Sequence, residues 1–197
     1  PAQPPPAAQA PAYLQRCPEG RPPWGLSDPL RCQQQPGEQL APQLQRRVQR
    51  QLKRLIQNRP FEPSPQLHFC SMGPFPNAFA LPGNTIVVAD EFVRLAAQDD
   101  EIAAVLAHEL GHLEKHHGIQ SLLRNSLALL VVASVTGDLS TLTAFAGTVP
   151  FLLLQNGYSR DLEREADAYA LALMKERGIN PGAFASILKK MEAAQPE

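Results

Sequence analysis

Cysteine is scarce in this 197-residue chain: there are three, and no CxxC pair. That argues against thiolate zinc fingers and thioredoxin-like redox sites. An excess of one charge sign is missing as well. Eighteen Lys/Arg stand against nineteen Asp/Glu, so the chain as a whole exerts no pull on nucleic acid. No apolar run reaches the ~18–20 residues of a membrane-spanning helix. LALLVVASV (127–135) and LSTLTAFAGTVPFLLL (139–154) are both shorter, and the second carries Ser, Thr, Gly147 and Pro150. What is not lacking is apolar material: 44% of the residues are hydrophobic, enough to build a core, which excludes a wholly disordered chain.

What is present is unevenly placed. Eleven of the twenty prolines fall within residues 1–42. PAQPPPAAQAPA (1–12) cannot pack and reads as linker, and residues 13–37 are rich in turns. The expected organisation is therefore an N-terminal arm over 1–37 and a folded domain over 38–197. Residues 1–60 carry nine basic and three acidic side chains, and the remainder carries nine basic and sixteen acidic. Two readings of the basic stretch Arg46–Arg59 stand: a solvated helix face, or a face leaning on the acidic remainder or on an anionic membrane surface. Cys17 and Cys32 flank a loop of disulfide-like length, and a bridge there fits an oxidising compartment with Cys70 left as a buried strand thiol. The first residue is Pro1 rather than Met, which suggests that an upstream signal or anchor was removed.

Hydrophobic spacing sets the fold class. Leu40, Leu44, Val48, Leu52, Leu55 and Ile56 recur at helical intervals, and Pro60 stops that helix near Arg59. LHFC (67–70), NAFAL (77–81) and TIVVAD (85–90) read as strands, the last two joined by the LPGN turn as a hairpin. From Asp90 onward the pattern is mostly helical. The chain is thus expected to be α+β, mostly helical, with a small β-sheet.

One helix carries chemistry. Asp99, Asp100 and Glu101 suit a first helical turn, and Ile102, Val105, Leu106, Leu110 and Leu113 form an apolar stripe. Within it lies His108-Glu109-Leu110-Gly111-His112. The two histidines are one turn apart on the same face, a spacing at which both imidazoles reach one Zn²⁺. Glu109 lies beside them, placed to act on a water as general base. Gly111 costs helix propensity, so its presence suggests close approach of another element.

A catalytic zinc needs a third protein ligand. Lys115 and Gly118 stand where the HExxHxxGxxH pattern would place Gly and His, so the ligand is sought among carboxylates. In YSRDLEREAD (158–167), Ser159 suits a helix N-cap, and Glu163 and Asp167 share a face one turn apart. Glu163 is the favoured ligand, with Asp167 accepting the outer ring N–H of a ligand histidine. Glu165 competes for the ligand role but points away, toward a salt bridge.

HELGH (108–112), SRDLEREAD (159–167) and NAFALPGNTIVV (77–88), in that order, resemble the HtpX/BepA-type gluzincin peptidases. That group includes the CAAX prenyl proteases and mitochondrial inner-membrane quality-control peptidases. The resemblance covers about residues 40–195. It implies a zinc endopeptidase with one Zn²⁺ per chain held by His108, His112 and Glu163, with Glu109 as general base and Asp167 behind the ligands. It also implies a compact, mostly helical domain whose small sheet lies beside the HExxH helix. The edge strand at Asn77, Ala78, Phe79 and Ala80 would hold substrate by strand addition.

Candidates for stabilising the transition state are Tyr158, Arg160 and His116. The simpler reading of His116 and His117 is a pair of cations at a helix C-terminus before Gly118. The expected partner is an unfolded or misfolded protein, not nucleic acid. Membrane contact would run through 127–154 or a lost N-terminal anchor, and the expected location is the periplasm or a membrane surface of the bacterial envelope. The alternative is an occluded peptidase fold that binds unfolded chains as a chaperone does.

Overall fold

The computed structural model describes residues 40–124 and 158–194. The N-terminal arm and the apolar stretch 127–154 therefore lie outside the described residues. Helix α1 (Pro42–Ile56) begins with proline at its first position, where no N–H is needed, and ends with Lys53 and Arg54 in the last turn. It buries Val48, Gln51, Leu52 and Leu55. Asn58 (φ 61°) turns the chain away before Pro60.

The three strands fall where the sequence pattern places them: β1 (Gln66–Cys70), β2 (Ala78–Leu81) and β3 (Thr85–Ala89). The sheet order is β1-β3-β2. β3 is central and wholly buried. It pairs parallel with β1, Leu67 opposite Ile86, and antiparallel with β2, Ala80 opposite Ile86. The hairpin between β2 and β3 turns through Gly83 (φ 87°) and Asn84 (φ 57°), the residue types that tolerate a left-handed backbone.

Helix α2 (Asp90–Leu95) leads into α3 (Asp99–Glu114). A capping box starts α3: the Gln98 N–H donates to the Glu101 carboxylate at 3.1 Å. A turn at 115–116 separates α3 from a further helical stretch, 117–124. Helix α4 (Arg160–Glu176) follows, then α5 (Gly182–Ala193). Ser159 occupies the N-cap position of α4, but its side chain makes no capping hydrogen bond.

Helix α3 is the centre of the packing. The core places Leu52 and Leu55 of α1, Ile86 and Val88 of β3, Ile102, Leu106 and Leu110 of α3, Leu173 and Met174 of α4, and Ile187 of α5 together. The basic stretch 46–59 is not simply solvated. Arg47 pairs with Asp99, Arg54 with Asp100, and Arg59 with Glu176, so three of its cations lean on the acidic body. Cys70, the only cysteine among the described residues, is buried at the end of β1 and disulfide-bonded. The expectation of a free strand thiol there is thus corrected: its partner lies outside the described residues.

Candidate metal centre

Helices α3 and α4 cross at Gly111. A Cβ there would lie 3.0 Å from the Ala166 Cα and 3.1 Å from its carbonyl oxygen. The approach of α4 thus favours glycine at this position, as the sequence suggests. The close crossing brings Glu163, near the start of α4, over the histidines of α3.

His108 Nε2 and His112 Nε2 lie 3.0 Å apart. The Glu163 carboxylate lies 3.4 Å from the first and 3.9 Å from the second. Two imidazole nitrogens and one carboxylate oxygen thus converge on one point, all within 4.8 Å of one another. Tetrahedral zinc with ~2.0–2.1 Å bonds keeps its ligands about 3.3 Å apart, so the donor set and its spacing fit that ion. On the outer side of His108, Nδ1 stands 3.0 Å from Asp167 Oδ1. Tyr158 stacks on the His112 ring, centroids 4.0 Å apart.

Burial and charge shape the site. Glu109 is buried, which pushes its carboxyl up to about 7 against the lowering influence of His108 and of a hydrogen bond from the Ala80 N–H. Burial, aided by His108, pushes the His112 imidazole down to about 3. Burial acts against charge at His108 too, but the carboxylates of Glu163, Glu109 and Asp167 outweigh it and raise that imidazole. Glu163 is held low despite its burial, by its contacts with His108 and His112 and a backbone hydrogen bond from Tyr158.

Beside the histidines a cavity of about 270 Å³ opens, bounded by Asn77, Ala78, Glu109 and Glu163. Val105, Phe184, Leu188 and Met191 give it one apolar wall. The α5 contribution is absent from the sequence reading, since nothing in GAFASILKKMEA signals chemistry; only tertiary packing brings Phe184 to 5.7 Å from the His108 ring.

The structure brings together His108, Glu109, His112, Glu163 and Asp167. Tyr158 joins them, although its O–H donates to the Ala80 carbonyl at 3.2 Å. Arg160 is exposed, and His116 is exposed with φ 53°, the left-handed residue at which α3 ends. β2 is an edge strand of the described sheet, as expected for residues 77–80. At Ala80, however, the backbone carbonyl is engaged, accepting from the Tyr158 O–H.

The reading of His117 as an ordinary terminal cation is corrected. The left-handed turn at His116 sends His117 inward, where it is fully buried with Nδ1 3.0 Å from His112 Nδ1. Glu165, read as pointing toward a salt bridge, lies 3.5 Å from His117 Nε2.

Comparison with known proteins accords with this geometry. The mitochondrial metalloendopeptidase OMA1 of Schizosaccharomyces pombe is 33% identical over 128 residues, 62% of this chain and 36% of that protein. The metalloprotease LoiP of Escherichia coli is 31% identical over 119 residues, 58% of this chain and 47% of LoiP. The β-barrel assembly-enhancing protease of Escherichia coli O157:H7 is 27% identical over 128 residues, 58% of this chain and 26% of that protein. The chain spans less than half the length of each of these relatives. Residues 42–197 match Peptidase family M48 along their whole extent. The chain therefore belongs to Peptidase family M48, with the metallopeptidases of the BepA/HtpX type.

Proposed function

We propose that this domain is a zinc endopeptidase, with one Zn²⁺ held by His108, His112 and Glu163. The observation that carries the reading is the convergence of those three donors beside a buried Glu109. When bound, zinc supplies Lewis-acid activation of water and of the scissile carbonyl. Glu109 takes the proton of the attacking water as its oxygen bonds to the carbonyl carbon, and delivers that proton to the amine as the C–N bond breaks. Burial of Glu109 works to raise its carboxyl, the direction required of a group that takes a proton and then returns it. Asp167 accepts the Nδ1–H of His108 and so fixes the tautomer that leaves Nε2 free to ligate.

The proposed substrates are unfolded or misfolded proteins of the bacterial envelope. Three observations support this: the likeness to the β-barrel assembly-enhancing protease, an open cavity beside the donors, and a disulfide at Cys70, which suits an oxidising compartment. Among the described residues no helix is long and apolar enough to cross a membrane.

Glu109→Gln tests the reading. It should retain one zinc per chain and cut an unfolded protein about 10²–10⁴-fold more slowly; unchanged cleavage would overturn the assignment. One observation favours the alternative, an occluded peptidase fold that binds without cutting: the Ala80 carbonyl on the edge strand accepts from Tyr158 rather than standing open to a substrate strand. A zinc-loaded wild-type chain that binds the unfolded protein and releases no new N-termini would establish it.

A further inference from the structure

We infer that His117, backed by Glu165, is a positioning residue that fixes the tautomer and orientation of His112. The inference rests on the zinc reading above, in which His112 ligates through Nε2. His112 Nε2 is the nitrogen that faces His108 Nε2 and Glu163. A ligating Nε2 carries no proton, so the ring's single proton sits on Nδ1. His112 is 2% exposed, and the group facing its Nδ1 is His117 Nδ1 at 3.0 Å. That nitrogen must accept, since two N–H groups cannot face each other at this distance.

Each proton position forces the next. With His117 Nδ1 accepting, the His117 proton lies on Nε2. Nε2 is buried and makes no hydrogen bond among the described residues; Glu165 Oε2 stands 3.5 Å from it, and a small rotation of that exposed carboxylate lets it accept the N–H. The two metal-binding histidines are thus held in parallel fashion. His108 is backed by a carboxylate directly, through Asp167, and His112 by a carboxylate through an intervening imidazole. His117 is fully buried, so water does not take its place. Groups in this position behind a ligand govern metal affinity by ~10–100-fold.

The test is zinc affinity of the full 197-residue chain, measured by competition with a chromophoric chelator, with circular dichroism to confirm folding. His117→Leu should weaken zinc binding about 10–100-fold. His117→Asn places Oδ1 where Nδ1 stands and should recover most of that loss, because it restores an acceptor to His112. Glu165→Ala should weaken zinc binding in the wild-type background and have no effect in His117→Asn, whose short amide offers Glu165 no N–H.

Wild-type affinity in His117→Leu would overturn the inference. So would equal impairment of the folded Leu and Asn variants, which would reduce His117 to packing. An equal Glu165→Ala effect in both backgrounds would also overturn it, by showing only the field of a carboxylate near a cation. If His117→Leu does not fold, the cycle of Glu165→Ala with His117→Asn decides. A wild-type chain that binds no zinc would overturn the metal reading itself and take this inference with it.

Discussion

The two helices that meet at the metal centre are built on opposite terms. Helix α3 buries twelve of its sixteen residues, whereas α4 buries five of seventeen, all on one stripe. From α3 come both imidazoles and Glu109, and from α4 come the carboxylates of Glu163, Glu165 and Asp167. The nitrogen donors thus ride on the most buried of the described helices, where packing restricts rotamers. The carboxylates come from a helix that keeps one face in water, where an ionised acid costs little before metal arrives. The difference teaches that chemistry and core share residues on α3 but are separable on α4. Substitutions should show it, with stability and zinc affinity falling together on α3 and apart on α4.

The largest stability effect is expected at the buried acid of α3. Glu101 is 1% exposed, and Lys190 Nζ and Ser186 Oγ of α5 donate to it at 2.6 and 2.8 Å. Burial works to raise its carboxyl, but Lys190, Ser186 and the Gln98 N–H outweigh burial and hold it down to about 2. Lys190→Met leaves that buried charge without its cation and should cost about 3 kcal/mol in urea unfolding. The pH dependence has a definite sign. Below its ordinary value of 4.5 the unfolded Glu101 binds a proton that the folded one refuses. Its contribution is therefore full above about 4.5 and lost as pH falls toward 2. The variant should show a shallower loss across that window. An unchanged urea midpoint would mean that α3 tolerates a lone buried charge, and the contrast with α4 would fail.

How much of this was legible in the sequence depends on whether the signal is local. The β2–β3 hairpin was, because Pro82-Gly83-Asn84 carries its own turn chemistry. The HExxH pair and Glu163 were, because spacings of four residues translate directly into a shared helix face. His117 was not. It follows His112 by five residues, which on a continuous helix would point elsewhere, and only the left-handed turn at His116 brings it back. The pairing of Arg47, Arg54 and Arg59 with acids far along the chain was left open, because it depends on how α1 docks against α3 and α4. The cavity wall of Phe184 and Met191 was invisible for the same reason: apolar residues at helical spacing look alike whether they face a core or a cleft.

The next effect in size lies at the crossing itself. Gly111→Ala should gain about 1 kcal/mol of helix propensity. It should nevertheless lose about 1–2 kcal/mol net, because the new Cβ meets the backbone of Ala166 rather than a side chain that can swing aside. Pushing α4 away also moves Glu163 from the imidazoles, so zinc affinity should fall in step with the thermal midpoint. A variant more stable than wild type that keeps its zinc would show that α4 yields freely, and would sharpen the view of α4 as the adaptable partner.

The smallest effect is expected on the outer face of α4, a few residues from the site. Arg164 Nη1 donates to Asp161 Oδ1 at 2.9 Å, but the two side chains are 75% and 85% exposed. Water screens such a pair and ordering two mobile side chains offsets most of the gain, so Asp161→Ala should change stability by less than about 0.5 kcal/mol. Zinc affinity should be unchanged, because Asp161 precedes Glu163 by two residues and so points to a different side of the helix. A loss above about 1 kcal/mol would mean that the first turn of α4 is held by its surface charges rather than by Leu162 and Ala166 beneath. In that case the carboxylate side of the centre would be as tightly bound to the fold as the imidazole side, and the asymmetry between the two helices would be one of solvent exposure alone.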